Sequence, residues 1–154
     1  TPLLLQLFIV FYGLPEIGVK INPYPAAVLA FSINVAGYAA EIIRSAILSV
    51  PKGQTEAART IGLDYRRTLV RIVLPQALRT AVPPLSNTLL SLVKDTSLAS
   101  TILLVEAFRA TRTAADESTE YLALFILVGF YYWVVCWILS QGQRKLETRL
   151  DRYV

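Results

Sequence analysis

The chain has 154 residues, 55% of them hydrophobic, and carries 15 Lys and Arg against 11 Asp and Glu, a net charge of +4. A mean hydropathy of +0.51, with the apolar residues gathered in blocks, marks an integral membrane protein and excludes an ordinary soluble domain. With no histidine and one cysteine, Cys136, the composition excludes histidine-ligated metal sites, Ser-His-Asp triads, Cys-His dyads and a disulfide framework.

Leu3 to Leu14 is apolar except for Gln6 and is too short to span a bilayer alone. No basic n-region precedes it, so it does not read as a signal peptide. The chain is expected to be a fragment that begins inside or just before a membrane helix. Gly13-Leu14-Pro15-Glu16 should stop this helix, and Asn22-Pro23-Tyr24-Pro25 should close a short loop. Gly13 and Gly18 stand at phosphate-loop spacing. Val19 replaces the required lysine and no Ser or Thr follows, so this is a turn, and no nucleotide or other cofactor is expected.

Ala26 to about Val50 has the length of one crossing. Asn34, Tyr38, Glu41 and Ser45 are spaced i, i+4, i+7, i+11 and lie along one face. A polar stripe on a membrane helix faces protein or a water-filled path, because lipid leaves such groups unsatisfied. Interhelical hydrogen bonding and path lining stand about equal for Asn34 and Tyr38. For Glu41, pairing with Arg44 is expected.

Residues 51–79 form the polar interruption. Lys52, Arg59, Arg66, Arg67, Arg71 and Arg79 outnumber Glu56 and Asp64, which assigns the loop to the cytoplasm. Gly62 suits the left-handed position after a helix, and Asp64 suits the cap of the next helix, Tyr65 to Leu74. Pro75 is expected to bend or end that helix. Ala57, Ala58 and Ile61 would form a small flat apolar face on the first helix.

Val82 to Leu104 is apolar but interrupted by Lys94-Asp95-Thr96-Ser97. Pro83-Pro84 suits a helix first turn, and Asn87, Ser91 and Lys94 share a face. Charged groups at membrane depth are costly unless paired or wet, so Lys94 and Asp95 are functional candidates, with a structural pair locking a broken helix as the alternative. Val105 to Glu120 lacks a cationic excess and fits the opposite side. Tyr121 to Leu139 is an uncharged, aromatic-rich span that holds Cys136 as a packing residue. Arg144, Lys145, Arg149 and Arg152 mark a cytoplasmic tail. No repeat or long linker divides the chain, so residues 1–154 are expected to be one domain. A basic patch interleaved with aromatics is absent, and no nucleic-acid partner is expected.

Glu56-Ala57-Ala58, Gly62, Ile72 and Leu74-Pro75 follow the spacing EAA-x3-G-x9-I-x-L-P. This resembles the EAA signature of the permease subunits of bacterial ABC importers. Ala39-Ala40-Glu41, Lys52-Gly53-Gln54, Leu74-Pro75-Gln76-Ala77 and Leu92-Val93-Lys94-Asp95-Thr96-Ser97-Leu98 are similar to the polar amino acid permeases, the histidine, glutamine, arginine and cystine group. Phe11-Tyr12-Gly13-Leu14-Pro15 is most similar to the cystine permeases. The resemblance covers nearly the whole chain.

It implies an all-α integral membrane protein with the type I importer permease fold in a prokaryotic inner membrane, with the 51–79 loop as a coupling helix. It also implies a cytoplasmic ABC ATPase dimer, a second permease subunit, an extracytoplasmic solute-binding protein and a polar amino acid substrate. ATP hydrolysis would lie in the partner. Within this reading Lys94 faces the path and meets the substrate carboxylate, and Asp95 holds Lys94 or meets an amino group. Asn34, Tyr38, Glu41, Asn87, Ser91 and Ser97 are further lining candidates. A channel, a secondary transporter or a membrane enzyme at Glu41 and Lys94-Asp95 are the competing readings, and no nucleophile–base set favours the last.

Overall fold

A computed structural model describes residues 1–151, with side chains through Arg149; Arg152 lies outside the described residues. The described residues form helices and connecting turns with no strand. Helix α1 runs Leu3–Glu16, relaxed by a π-turn at Ile9–Gly13. Helix α2 is Pro23–Leu48, and α3 is Lys52–Thr60. Helix α4 is a continuous run, Tyr65–Ile102, with a π-turn at Leu69–Val73 and a 3₁₀ end at Thr96–Ile102. Helix α5 is Ala107–Ser118 and α6 is Tyr121–Asp151.

Several boundaries differ from the sequence expectation, each for a local reason. The end of α1 is as expected: it stops at Glu16, the last residue of Gly13-Leu14-Pro15-Glu16, in a Schellman turn. There the Val19 amide donates to the Leu14 carbonyl and the Gly18 amide to the Pro15 carbonyl, both at 3.0 Å, with Gly18 at φ +88°. Pro23 and Pro25 open α2 rather than close a loop, since a first turn needs no amide hydrogen from them. Pro75 neither ends nor breaks α4; it lies one residue beyond the π-turn, after Leu74. Pro83 and Pro84 lie inside α4 instead of starting a helix. The segment before Glu120 forms helix α5, and α6 continues past Leu139 to Asp151.

By contacts the chain falls into two compact units, Thr1–Ala36 with Leu89–Gln141, and Gly37–Thr88 with the chain from Gly142 on. The first has a core of Leu7 and Val10 from α1, Ala26, Ala27 and Ala30 from α2, and Ala99 and Ile102 from the 3₁₀ end. Alanines four apart on α2 present a smooth stripe against which the larger side chains pack at close range, as membrane helices do. The second has Ala46 from α2 against Ala77 and Ala81 of α4, with Ile42 and Leu85 beside them.

Two helices, Pro23–Leu48 and Tyr121–Arg149, are long and apolar enough to cross a membrane. At 1.5 Å per residue α2 reaches about 39 Å, against a hydrocarbon core of about 30 Å. A third span results if α4 and α5, bent by 52°, act together. Large apolar residues on α6 stand exposed, Trp133 at 60% and Ile126 at 62%. Water would penalise such a surface and lipid would not.

Candidate functional site

The segment with the EAA spacing folds as a helical hairpin. Helix α3 ends at Thr60 with Ile61 as its C-cap, and Gly62 takes φ +80°. The Leu63 amide donates to the Ala58 carbonyl and the Gly62 amide to the Arg59 carbonyl, both at 3.0 Å. This Schellman turn lets the chain reverse within three residues. Asp64 then caps α4, its carboxylate accepting the Arg67 amide at 2.7 Å. Both expectations for this turn hold.

The hairpin's faces differ from the expected apolar patch. Ala58 is turned inward and buried, whereas Glu56, Ala57 and Ile61 are exposed. Thr55, Arg59, Tyr65, Thr68, Leu69 and Val73 line a small cavity beneath the turn. Ala58 therefore fixes α3 against α4, and the face open to a partner is Glu56, Ala57 and Ile61. Ile72 and Leu74 are half-buried in and after the π-turn, and Pro75 is exposed. They hold the root of the hairpin and lie outside its tip.

The polar stripe on α2 divides into separate contacts. Asn34 donates to Gln6 Oε1 of α1 at 3.0 Å and is half-buried. It makes the interhelical bond that the sequence left as one of two options. Tyr38 is exposed. Arg44 Nε donates to Glu41 Oε2 at 2.8 Å, the expected i, i+3 pair, and Ser45 Oγ donates to Glu41 Oε1 at 3.4 Å. Glu41 and Ser45 share a cleft of about 380 Å³ with Ile42, Ala46, Ser49, Thr80 and Pro84. On α4, Asn87 Oδ1 accepts from Gln143 Nε2 of α6 at 3.1 Å.

Lys94 and Asp95 close the α-helical part of α4. No ion pair joins them among the described residues, contrary to one expected role of Asp95. Consecutive helical residues point about 100° apart and do not face each other. Lys94 is exposed and Asp95 half-buried. The backbone tightens to 3₁₀ from Thr96, where Thr96 Oγ1 donates to the Val93 carbonyl at 2.7 Å and Ser97 Oγ to the Lys94 carbonyl at 2.9 Å. Ser91 is exposed and Ser97 half-buried. The 3₁₀ segment ends at Leu103, a non-glycine residue at φ +68°. Such strain, about 1–2 kcal/mol, collects where a segment is held for a purpose.

Sequence reading missed the role of Glu106. It caps α5, its two oxygens accepting the Phe108 and Arg109 amides at 2.7 Å each. Glu106 Oε2 also accepts from the Tyr132 hydroxyl of α6 at 3.1 Å. An acidic residue just before the run Ala107–Ser118 was the available signal.

A match of the sequence to a family model decides the kinship. The model described as binding-protein-dependent transport system inner membrane component covers residues 1–152. The chain belongs to that family. This inner membrane component is 56% identical to the L-cystine transport system permease protein TcyB of Bacillus subtilis (strain 168), over 100% of its own length and 66% of the relative's. It is 44% identical to the probable glutamine ABC transporter permease protein GlnP of the same organism, over 96% of its own length and 69% of that protein's. The chain thus spans about two thirds of the length of these relatives. A solved structure described as an amino acid ABC transporter with histidines superposes with a TM-score of 0.91 at 32% identity, over 97% of this chain and 70% of that one. The inner membrane component accordingly has the all-helical type I permease fold.

Proposed function

We propose that this chain is the membrane-spanning permease subunit of an ATP-driven importer for a polar amino acid, with L-cystine the first candidate. The observation that carries the reading is the hairpin at Glu56–Asp64. A nine-residue helix is closed by a left-handed glycine, followed at once by the Asp64 cap of α4, and anchored by buried Ala58. Its exposed face offers a carboxylate, a methyl group and an isoleucine to a partner. A short helix tied to α4 by a fixed turn and by buried Ala58 transmits displacement better than a flexible loop. The kinship with permeases named for cystine and glutamine supports the substrate class.

In this reading a cytoplasmic ATPase dimer receives α3 of this subunit and of a second permease copy or homologue. ATP-driven closure of the dimer draws the two hairpins together and opens the path outward, where a solute-binding protein delivers the amino acid. The basic residues around the hairpin support a cytoplasmic position for it. Lys94 faces the path and meets the substrate carboxylate. Asp95 meets an amino group, and Tyr38, Glu41, Ser91 and Ser97 contribute polar lining. Asn34 and Asn87 act mainly through their bonds to Gln6 and Gln143.

The test is uptake of a panel of labelled amino acids by cells expressing this subunit with its ATPase and binding protein. Saturable uptake of a polar amino acid is expected, lost in Glu56→Lys while membrane insertion persists. Lys94→Ala is expected to lower substrate affinity. Uptake that survives ATP depletion, or normal uptake by Glu56→Lys, overturns the coupling role.

A further inference from the structure

Helix α5 turns Arg109, Arg112, Thr113 and Asp116 to one face, at i, i+3, i+4 and i+7. That face borders a cavity of about 350 Å³, closed on its other side by Ser100, Thr101 and Leu103 at the 3₁₀ end of α4. The volume lies at the small end of the range for single-ligand pockets. Its chemistry is polar and divided by charge, with two guanidinium groups and one carboxylate.

The existing bonds leave most of this capacity open. Arg109 is half-buried, and its Nη1 donates to the Ser100 carbonyl at 3.0 Å. This bond fixes the plane of a guanidinium that carries five donors. Arg112 is exposed and its side chain makes no hydrogen bond or ion pair among the described residues. Asp116 Oδ1 accepts from the Tyr121 hydroxyl at 3.0 Å, which orients the carboxylate and leaves Oδ2 open. Thr113 Oγ1 donates to the Arg109 carbonyl at 3.1 Å. The rim includes Leu103, the strained left-handed residue that ends α4.

We propose that this cavity is a station for a free α-amino acid, separate from Lys94. Arg109 and Arg112 hold the α-carboxylate, because a planar fork pairs with a carboxylate through two parallel bonds. Asp116 Oδ2 holds the α-ammonium. The three residues read the groups that all α-amino acids share, so the station is indifferent to the side chain. Their segment also carries Glu106, Glu117 and Glu120. The carboxylate of a solute is therefore attracted only where the two arginines converge. The inference rests on the amino-acid reading proposed above.

The test uses the complete transporter in nanodiscs, without binding protein or ATP. Labelled L-cystine, L-glutamine and L-arginine are the probes, and their α-carboxamide analogues are the competitors. All three probes are expected to bind with similar affinity, and the carboxamides are expected not to displace them. Arg112→Gln is expected to weaken all three about tenfold, the size of one lost charge-assisted contact, and Arg112→Lys to restore most of it. Asp116→Asn is expected to weaken all three, and N-acetylated probes are expected to be insensitive to that change.

Failure of all three probes to bind, displacement by the carboxamides, or unchanged affinity in Arg112→Gln overturns the station. So does loss of binding-protein docking in Arg112→Gln with amino-acid binding intact, since the cavity would then receive an acidic side chain of that protein. If the wild type imports an amino acid yet Arg112→Gln leaves binding unchanged, only the station falls. If the wild type imports none, the proposed function falls with it.

Discussion

The Asp64 carboxylate accepts the Arg67 amide hydrogen at 2.7 Å, and the Asp64 carbonyl accepts the Thr68 hydroxyl at 2.8 Å. One residue thereby satisfies the first turn of α4 and fixes its start directly after Gly62. Replacing such a cap with alanine costs about 1 kcal/mol. Asp64→Ala is expected to speed hydrogen exchange of the Arg67 amide about fivefold, the factor that energy implies, and Asp64→Ser to restore most of the protection. Unchanged exchange in Asp64→Ala would remove the cap from the account.

Gly62 is set by backbone conformation and not by crowding. A Cβ built there meets nothing within 4 Å, so an L-residue suffers only the left-handed penalty, about 1–2 kcal/mol. Asparagine tolerates this region and β-branched residues do not. Uptake and co-purification of the ATPase are expected to persist in Gly62→Asn and to fall sharply in Gly62→Val. Equal loss in both would point to contact with the glycine surface itself.

Glu106 joins the cap of α5 to Tyr132 of α6. Tyr132→Phe removes that link and leaves the cap in place. Glu106→Ala removes both. A double-mutant cycle on thermal stability in detergent is expected to show a coupling energy of about 1 kcal/mol. A coupling indistinguishable from zero would mean that the hydroxyl bond contributes nothing measurable.

Asn34 is expected to matter for assembly of the helices and little for transport. Its bond to Gln6 joins α1 to α2, and such bonds between membrane helices average about 0.6 kcal/mol. Asn34→Leu should lower stability by about that amount, with KM for uptake almost unchanged. A raised KM at unchanged stability would return Asn34 to the path.

What the sequence revealed depended on how local the determining chemistry was. Gly62 and Asp64 were legible because a left-handed turn and a helix cap are settled within a few residues. Pro83 and Pro84 were misread because proline's preference for a first turn gave way to helix-forming sequence and packing on both sides, with Ala77, Ala81 and Leu85 in one cluster. Asn34 stayed ambiguous because its partner lies 28 residues earlier, a separation that no periodicity reports. Ala58 was assigned to the outer face because alanine suits either face of a helix equally. The face formed by Arg109, Arg112 and Asp116 was hidden by summing charge over a segment that needed reading at helical period.

The left-handed backbone of Gly62 has a stereochemical corollary. A D-alanine introduced at this position by chemical ligation would find φ +80° in its own preferred region. It would also narrow the freedom of the unfolded chain, an effect of about 0.4–1 kcal/mol in favour of the folded state. The turn therefore discriminates by handedness: a methyl group of one configuration disturbs the hairpin, and its mirror image makes the same hairpin more rigid than the natural glycine does.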